Sequence, residues 1–405
     1  MAETKNFMAK LVRAWPALPY MALGALLASV YIASSGTAWL SDSETNGGNL
    51  SVLTVTTSLS AGGLIVASSA SVFHVAEYKK VALPAVILST VCICCAGMFV
   101  LIDLGGIQRV WRIVTGPNVT SPLFWDICVI TLYLAINVVY LYFMKSKKPG
   151  AQDKVAIVSR FALPVAILVH SVTAWIFGLE MAREGWYSAI MAPLFVVSAM
   201  DSGLALLLLS LMGLNKSGRF KTDKKLLSNL AGLLATCIAI DGFLVGCEVL
   251  TMAYPGAAGA ETLAIMATGA TAPFFWFEIV IGLLIPFCIL VFAKNRARMG
   301  LVAAASVCVV VGVFFKRVWL LLTSFVEFNV MGAPGVASGS SAAAHATGLD
   351  MWAVASSYAP TWVEIVVAIG VVSLGALAFV MLAQKLLPGG APKREAVNVA
   401  AGEAA

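Results

Sequence analysis

Ten runs of apolar residues, each about twenty long or more, alternate with short polar connections along the chain. They fall at 17–40, 51–73, 82–104, 122–144, 157–180, 187–212, 226–254, 273–293, 300–327 and 361–385. A helix rises about 1.5 Å per residue, so each run spans the roughly 30 Å of a bilayer's hydrocarbon. Lipid offers no partner for backbone N–H and C=O groups, and runs this long satisfy them internally only as helices. The pattern predicts an all-α, polytopic membrane protein with about ten transmembrane helices. The opening stretch lacks the short apolar core and small-residue cleavage site of a signal peptide, so the first run is expected to be retained.

Charge then orients the spans. Of 26 Lys and Arg residues, 21 fall in the segments that share a side with an inside N-terminus. These are Lys5, Lys10 and Arg13; Lys79 and Lys80; Lys145, Lys147, Lys148, Lys154 and Arg160; Lys216, Arg219, Lys221, Lys224 and Lys225; Lys294, Arg296 and Arg298; and Lys385, Lys393 and Arg394. The opposite loops hold Arg109, Arg112 and Arg183 alone, while Lys316 and Arg317 lie within a span. Short basic loops stay cytoplasmic, which predicts that both termini are inside. The longer, nearly uncharged connections 255–272 and 328–360 then face outward, where a partner has room to dock. Residues 1–385 read as one transmembrane domain, and the Ala-rich stretch 386–405 as a disordered cytoplasmic tail.

Composition agrees: 60% of residues are hydrophobic and 11% charged, against about a quarter charged in soluble domains. The net charge of +6 is the topology signal itself, so it gives no support to a nucleic-acid partner. All eight cysteines lie in or at the ends of spans, without paired CxxC spacing for a metal. The Cys92, Cys94, Cys95 group reads as small apolar packing. The histidines are His74, His170 and His345, and only His170 lies near the middle of a span. A bis-histidine haem needs two facing imidazoles, so no haem is expected, and without paired cysteine spacing no iron–sulfur cluster is expected in this chain either.

Ionisable groups are costly in a bilayer, and each one there is a functional candidate. His170, Asp201 and Asp241 sit near the middles of the fifth, sixth and seventh spans, Glu278 in the first turns of the eighth, and Lys316 and Arg317 in the outer half of the ninth. Asp103, Asp126, Glu180, Glu248, Glu327 and Glu364 lie nearer the outer surface. Asp241 and Glu248 are two helical turns apart and share a face. They form either a proton-conducting stripe or a structural tether to Lys316 or Arg317. Asp201 has the alternative of a hydrogen bond to Ser198 or Ser202, and His170 that of a satisfied core histidine. Taken together, His170 and Asp201 suit a quinone, whose ring oxygens need a donor and an acceptor that exchange protons. Trp175, Trp186, Tyr187, Phe274, Phe275 and Trp276 supply aromatic walls, although Trp and Tyr also gather at interfaces with no ligand present.

The run Val100-Leu101-Ile102-Asp103-Leu104-Gly105-Gly106, followed by Arg109-Val110-Trp111-Arg112 and Ser121-Pro122-Leu123-Phe124-Trp125-Asp126, resembles the link between two spans in the NrfD/polysulfide reductase (PsrC-like) membrane-subunit family. Gly106-Ile107 stands where the family has a proline-containing step. The stretch from His170 through Trp175 and Trp186 to Asp201-Ser202-Gly203, and Tyr358-Ala359-Pro360-Thr361-Trp362-Val363-Glu364 before the last span, are also similar to the family. Ten spans instead of eight match its longer branch. The resemblance implies two four-helix bundles plus two extra spans in the cytoplasmic membrane. It implies a non-covalent quinone, menaquinone by preference, bound near the outer face by His170 and Asp201 as catalytic pair, with Trp175, Trp186, Tyr187 and Glu278 as further contacts.

Asp241, Glu248, Lys316 and Arg317 are then expected to form a proton path. The implied partners are an extracytoplasmic [4Fe–4S] ferredoxin-like subunit and further redox subunits of cytochrome c or molybdopterin type, in a complex of anaerobic respiration or sulfur metabolism. The chain would not be catalytic alone. Rival readings are a proton or solute transporter, since midplane carboxylates also mark transport paths, and a passive anchor. Pro164, Pro193 and Pro286 do not make the paired broken-helix pattern of inverted repeats. The topology has a direct check. A cysteine placed in 328–360 is expected to react with a membrane-impermeant reagent added from outside, and one in 217–223 only after the membrane is opened; the reverse pattern inverts the orientation.

Overall fold

The computed structural model describes residues 76–103, 110–181, 185–254, 256–326 and 362–387. Within them every regular element is a helix, and eight helices are long and apolar enough to cross a membrane. The expected spans 17–40 and 51–73 lie outside the described residues. In chain order the long helices are α1 Ala82–Asp103, α2 Pro122–Lys145, α3 Ala151–Gly178, α4 Met191–Lys216 and α5 Lys224–Ala253. An eleven-residue helix, α6 Ala257–Ala267, precedes α7 Ala272–Leu290, α8 Met299–Val326 and α9 Trp362–Leu386. The connection 255–272, read from sequence as an open loop, therefore contains a helix.

Local chemistry sets several boundaries. Pro122 opens α2 in its first turn, where a missing N–H removes no intrahelical bond. Gly150 takes φ +77° ahead of α3, a left-handed turn that other residues adopt only with strain. In α7 the middle segment Glu278–Leu284 is π-helical, followed by Pro286 in the next α turn. Proline cannot donate to the ladder, and a one-turn change of register of this kind commonly marks a working position in a helix.

Helices α4, α5, α7 and α8 pack in a closed ring, each against the next and α8 back against α4. On the other side of α4, helices α1, α2 and α3 pack together, and α9 lies along α1. The first set is a four-helix bundle; among the described residues the second is α1, α2 and α3 with α9 alongside. Polar clamps hold the second set. Thr173 donates to Asp126 at 2.6 Å, and the Ser89 hydroxyl bonds the Tyr133 hydroxyl at 2.8 Å while donating to Asn137 at 3.3 Å. All eight cysteines are unpaired, and the Cys95 thiol packs where Gly375 leaves room in α9.

In the four-helix set the closest approach is between Gly282 and Gly312, whose backbones leave no space for a side chain on either. Small residues permit such contact, which is the main source of helix association where lipid is as apolar as leucine. Helix α6 and the connection around Trp186 close one end of this bundle. Thr271 bonds both the Ile265 carbonyl and the Thr323 hydroxyl, and the Trp186 indole donates to the Leu320 carbonyl at 2.8 Å. Gly312→Leu is expected to force α7 from α8 and destabilise the protein by about 1–3 kcal/mol, read as a lower Tm of the detergent-solubilised protein. An unchanged Tm would mean that the crossing is not a tight contact.

Candidate functional site

Helix α8 carries two adjacent cations, Lys316 and Arg317, both fully buried. Successive residues on a helix point about 100° apart, so the two side chains leave α8 toward different neighbours. The Lys316 ammonium donates to both oxygens of Asp241 on α5, at 2.7 and 2.8 Å. It also lies 3.5 Å from Oε1 of Glu278, at the start of the π segment of α7. The other oxygen of Glu278 accepts the indole N–H of Trp319 at 2.8 Å. Arg317 turns toward α4 instead. Its guanidinium lies 3.6 Å from the ring centre of Phe195, and Nη2 donates to Ser198 Oγ at 3.3 Å.

Asp201 and His170 border this arrangement. Asp201 is completely buried on α4 and within electrostatic reach of Asp241, Lys316 and Glu278. His170, buried on α3, is within reach of Arg317. Neither carboxylate oxygen of Asp201, nor Nε2 of His170, has a hydrogen-bond partner among the described residues. The Ser202 hydroxyl, one expected partner for Asp201, bonds backwards to the Ser198 carbonyl. Buried polar groups are almost always bonded, so these three atoms on two packed helices stand out, as does Glu278 Oε1 in the neighbouring cluster.

The structure divides the other expected site residues. Glu248 is buried two turns from Asp241, but its bond is to Ser188 at 2.8 Å and not to a cation. Glu278, expected among ligand contacts, is engaged by Lys316 and Trp319. Trp186 turns inward against Phe177, with ring centres 5.2 Å apart. Trp175 and Tyr187 are 43% and 53% exposed, on the perimeter and away from the buried cluster. Of the remaining aromatics, Phe274 stacks on Phe315 and Phe275 sits edge-on to Trp319, while Trp276 faces outward. Glu180 is exposed. The side chains of Asp103, Arg109, Glu327 and Glu364, with His74 and His345, lie outside the described residues.

Sequence reasoning passed over Ser188, Phe195 and Trp319, and took Ser198 as a partner for Asp201 where the structure bonds it to Arg317. Periodicity held part of the signal: Phe195, Ser198 and Ser202 share a face of α4, and Trp319 follows Lys316 by three residues on α8. The Ser188 and Trp319 contacts are tertiary and leave no trace in local spacing.

The interior therefore groups three carboxyls, Asp201, Asp241 and Glu278, with two cations, in the half of the bundle nearest the end closed by α6. Three acids beside two cations, shielded from water, make this interior a functional candidate, since ionisable groups in a bilayer are costly. Fold and site together define a helical integral membrane protein with a buried charge cluster beside an unbonded carboxyl and an imidazole nitrogen without a partner. The chain belongs to the family "Polysulphide reductase, NrfD", whose model matches residues 52–329.

It is 34% identical over 82% of its length to a putative dimethyl sulfoxide reductase membrane subunit of Halobacterium salinarum, covering 80% of that protein. It is 28% identical to the "Hdr-like menaquinol oxidoreductase integral membrane subunit" of Archaeoglobus fulgidus, over 65% of this chain and 67% of that one. A selenate reductase subunit of Mesobacillus selenatarsenatis is 27% identical over 65% and 70% of the two chains.

The ion pair yields a stability prediction. Lys316→Met strands two buried carboxylates and is expected to cost about 3–5 kcal/mol. Adding Asp241→Leu should recover much of that loss. Thermal denaturation in detergent reads both, and a Lys316→Met protein as stable as the wild type contradicts the pairing.

Proposed function

We propose that this chain is the quinone-reactive membrane subunit of a respiratory redox complex in the cytoplasmic membrane, taking a menaquinone-type quinone at His170 and Asp201. In this reading it exchanges electrons with a [4Fe–4S] subunit docked on the outer face and couples the exchange to proton movement. The observation that carries the reading is the pair of buried, unbonded groups, His170 Nε2 and the Asp201 carboxyl, on consecutive packed helices. Their chemistry fits a ring with two carbonyl oxygens, one group donating and the other accepting. A bound quinone supplies two-electron, two-proton chemistry, and the protein contributes position and proton exchange.

His170 exchanges a proton at Nε2, and Asp201 accepts or returns one at its carboxyl. Asp241, Lys316 and Glu278 stand next to Asp201 as the onward path, with Glu248 two turns farther along α5. Glu278 joins this path as well, since its oxygens face Lys316 and Trp319, while Oε1, which has no hydrogen bond, keeps it open to the ligand. Menaquinone as the quinone type is supported by the name of the Archaeoglobus relative. Docking on the outer face is supported by the charge asymmetry of the loops, under which the cluster would lie nearer that side.

General acid–base groups contribute about 10²–10⁴-fold to rate. His170→Ala and Asp201→Asn are each expected to lower quinol turnover about 100-fold, with the complex still assembled. Near-normal turnover in both variants overturns the assignment. In proteoliposomes, Asp241→Asn should lower the membrane potential formed during turnover; an unchanged potential would leave Asp241 a structural residue. Solute or proton flux with no redox partner present would favour a transporter instead.

A further inference from the structure

Trp319 has a contact that its packing does not require. Among the described residues, the indoles of Trp125, Trp186 and Trp276 donate to backbone carbonyls, those of Val119, Leu320 and Ala267. The Trp319 indole, 3% exposed, donates to a carboxylate, Oε2 of Glu278. Its ring also meets Phe275 edge-on at 5.4 Å between centres. Phe275 and Glu278 are three apart on α7, and Lys316 and Trp319 three apart on α8. The two helices thus meet through two pairs of residues on facing sides.

One turn farther along both helices, Gly282 and Gly312 are in backbone contact. That crossing fixes the spacing of α7 and α8 just where Glu278 and Lys316 face each other. The remaining freedom is rotation of the Glu278 carboxylate, whose Oε1 has no hydrogen bond of its own and lies 3.5 Å from the Lys316 ammonium. A bond to the opposite oxygen removes that freedom. Asp241 needs no such help, since both of its oxygens are within 2.8 Å of the ammonium.

We propose that Trp319 is a positioning residue for the charge cluster: by holding one oxygen of Glu278 it aims the other at Lys316, so that the ammonium is shared between acids on two different helices. The role rests on the proton-path reading of the cluster given above. Lys316 then exchanges partners by a small movement of its own chain, strengthening its contact with Glu278 as it loosens from Asp241, with no covalent step. Without the indole N–H the Glu278 carboxylate is free to turn away, and Lys316 stays with Asp241.

Trp319→Phe deletes the N–H and keeps an aromatic ring against Phe275. A hydrogen bond to a charged group is worth about tenfold or more in an equilibrium. In the assembled complex in proteoliposomes, this variant is expected to slow the turnover-driven rise of membrane potential about tenfold. In a Glu278→Gln background the same change is expected to have no further effect beyond about twofold, because its target is already lost. A second readout is spectroscopic: the Glu278 carboxyl band in the infrared, assigned by its loss in Glu278→Gln, should move in Trp319→Phe. Effects that multiply in the double variant, or a band that stays in place, overturn the proposal. Asp241→Asn in the same vesicles separates the two levels. If it leaves the potential untouched, the proton-path reading falls and this role with it. If it abolishes the potential while Trp319→Phe and Glu278→Gln multiply, only the role of Trp319 falls.

Discussion

A lysine ammonium sealed away from water and lipid headgroups must have anions beside it, and the placement of Lys316 dictates much of the four-helix set. An unpaired charge in such a place costs several kcal/mol, so α5 and α7 have to bring Asp241 and Glu278 to the same side of α8. Asp241 arrives on a regular helix. Glu278 arrives at the junction where α7 changes from α to π geometry, four residues from the Gly282 contact with α8. The glycines bring the two backbones together, and the change of register accompanies the side chain that the ammonium requires.

Arg317 gives the adjacent surface of α8 a different character. Its guanidinium is spread over the Phe195 ring and bonded to Ser198, contacts that suit a flat, weakly hydrated cation better than a compact ammonium. Lys316 is thereby committed to the acids of α5 and α7, and Arg317 to α4 and the neighbourhood of His170 on α3. Helix α4 joins the two neighbourhoods, carrying Phe195 and Ser198 against Arg317 and Asp201 within electrostatic reach of Lys316. On the reading proposed above, a ligand at this pair would act on Arg317 through His170 and on Lys316 through Asp201.

Hydrophobic run length placed the eight described spans close to their observed ends, because lipid leaves a spanning helix little choice of length. The same rule located every group of the charge cluster, since ionisable residues inside long apolar runs stand out. What spacing could not give was pairing. Asp241 and Glu248 share a face of α5 as expected, yet Asp241 pairs with Lys316 and Glu248 with Ser188, and only the connection around Trp186 explains the difference. Aromatic residues were the least legible. Trp175 and Trp186 look alike in sequence, but one lies at the perimeter and the other packs on Phe177 and the backbone of α8, because a tryptophan at a membrane interface and one in a bundle share the same amphipathic ring. The π segment and the glycine crossing left no periodic signature, and helix α6 lay hidden in a connection whose Gly, Ala and Thr content suggested a loop.

The depth of the cluster bears on what proton movement through it would accomplish electrically. Asp201 is ten residues into α4, about 15 Å from the end closed by α6, and Glu278 is nearer still. Crossing the whole membrane is worth about 2.3 kcal/mol per charge at 100 mV, and a proton exchanged with the nearer end crosses only part of that field. The opposite half of the four-helix set has no buried carboxylate or cation among the described residues; its buried polar side chains on α4 and α8 include Ser210 and Ser306. A charge-separating route must therefore use hydroxyls and water through that half, where no ionised group offers a resting place. If protons pass through this cluster, as proposed, the electrical outcome of turnover depends less on the conspicuous charges than on how well the uncharged half of the bundle conducts a proton.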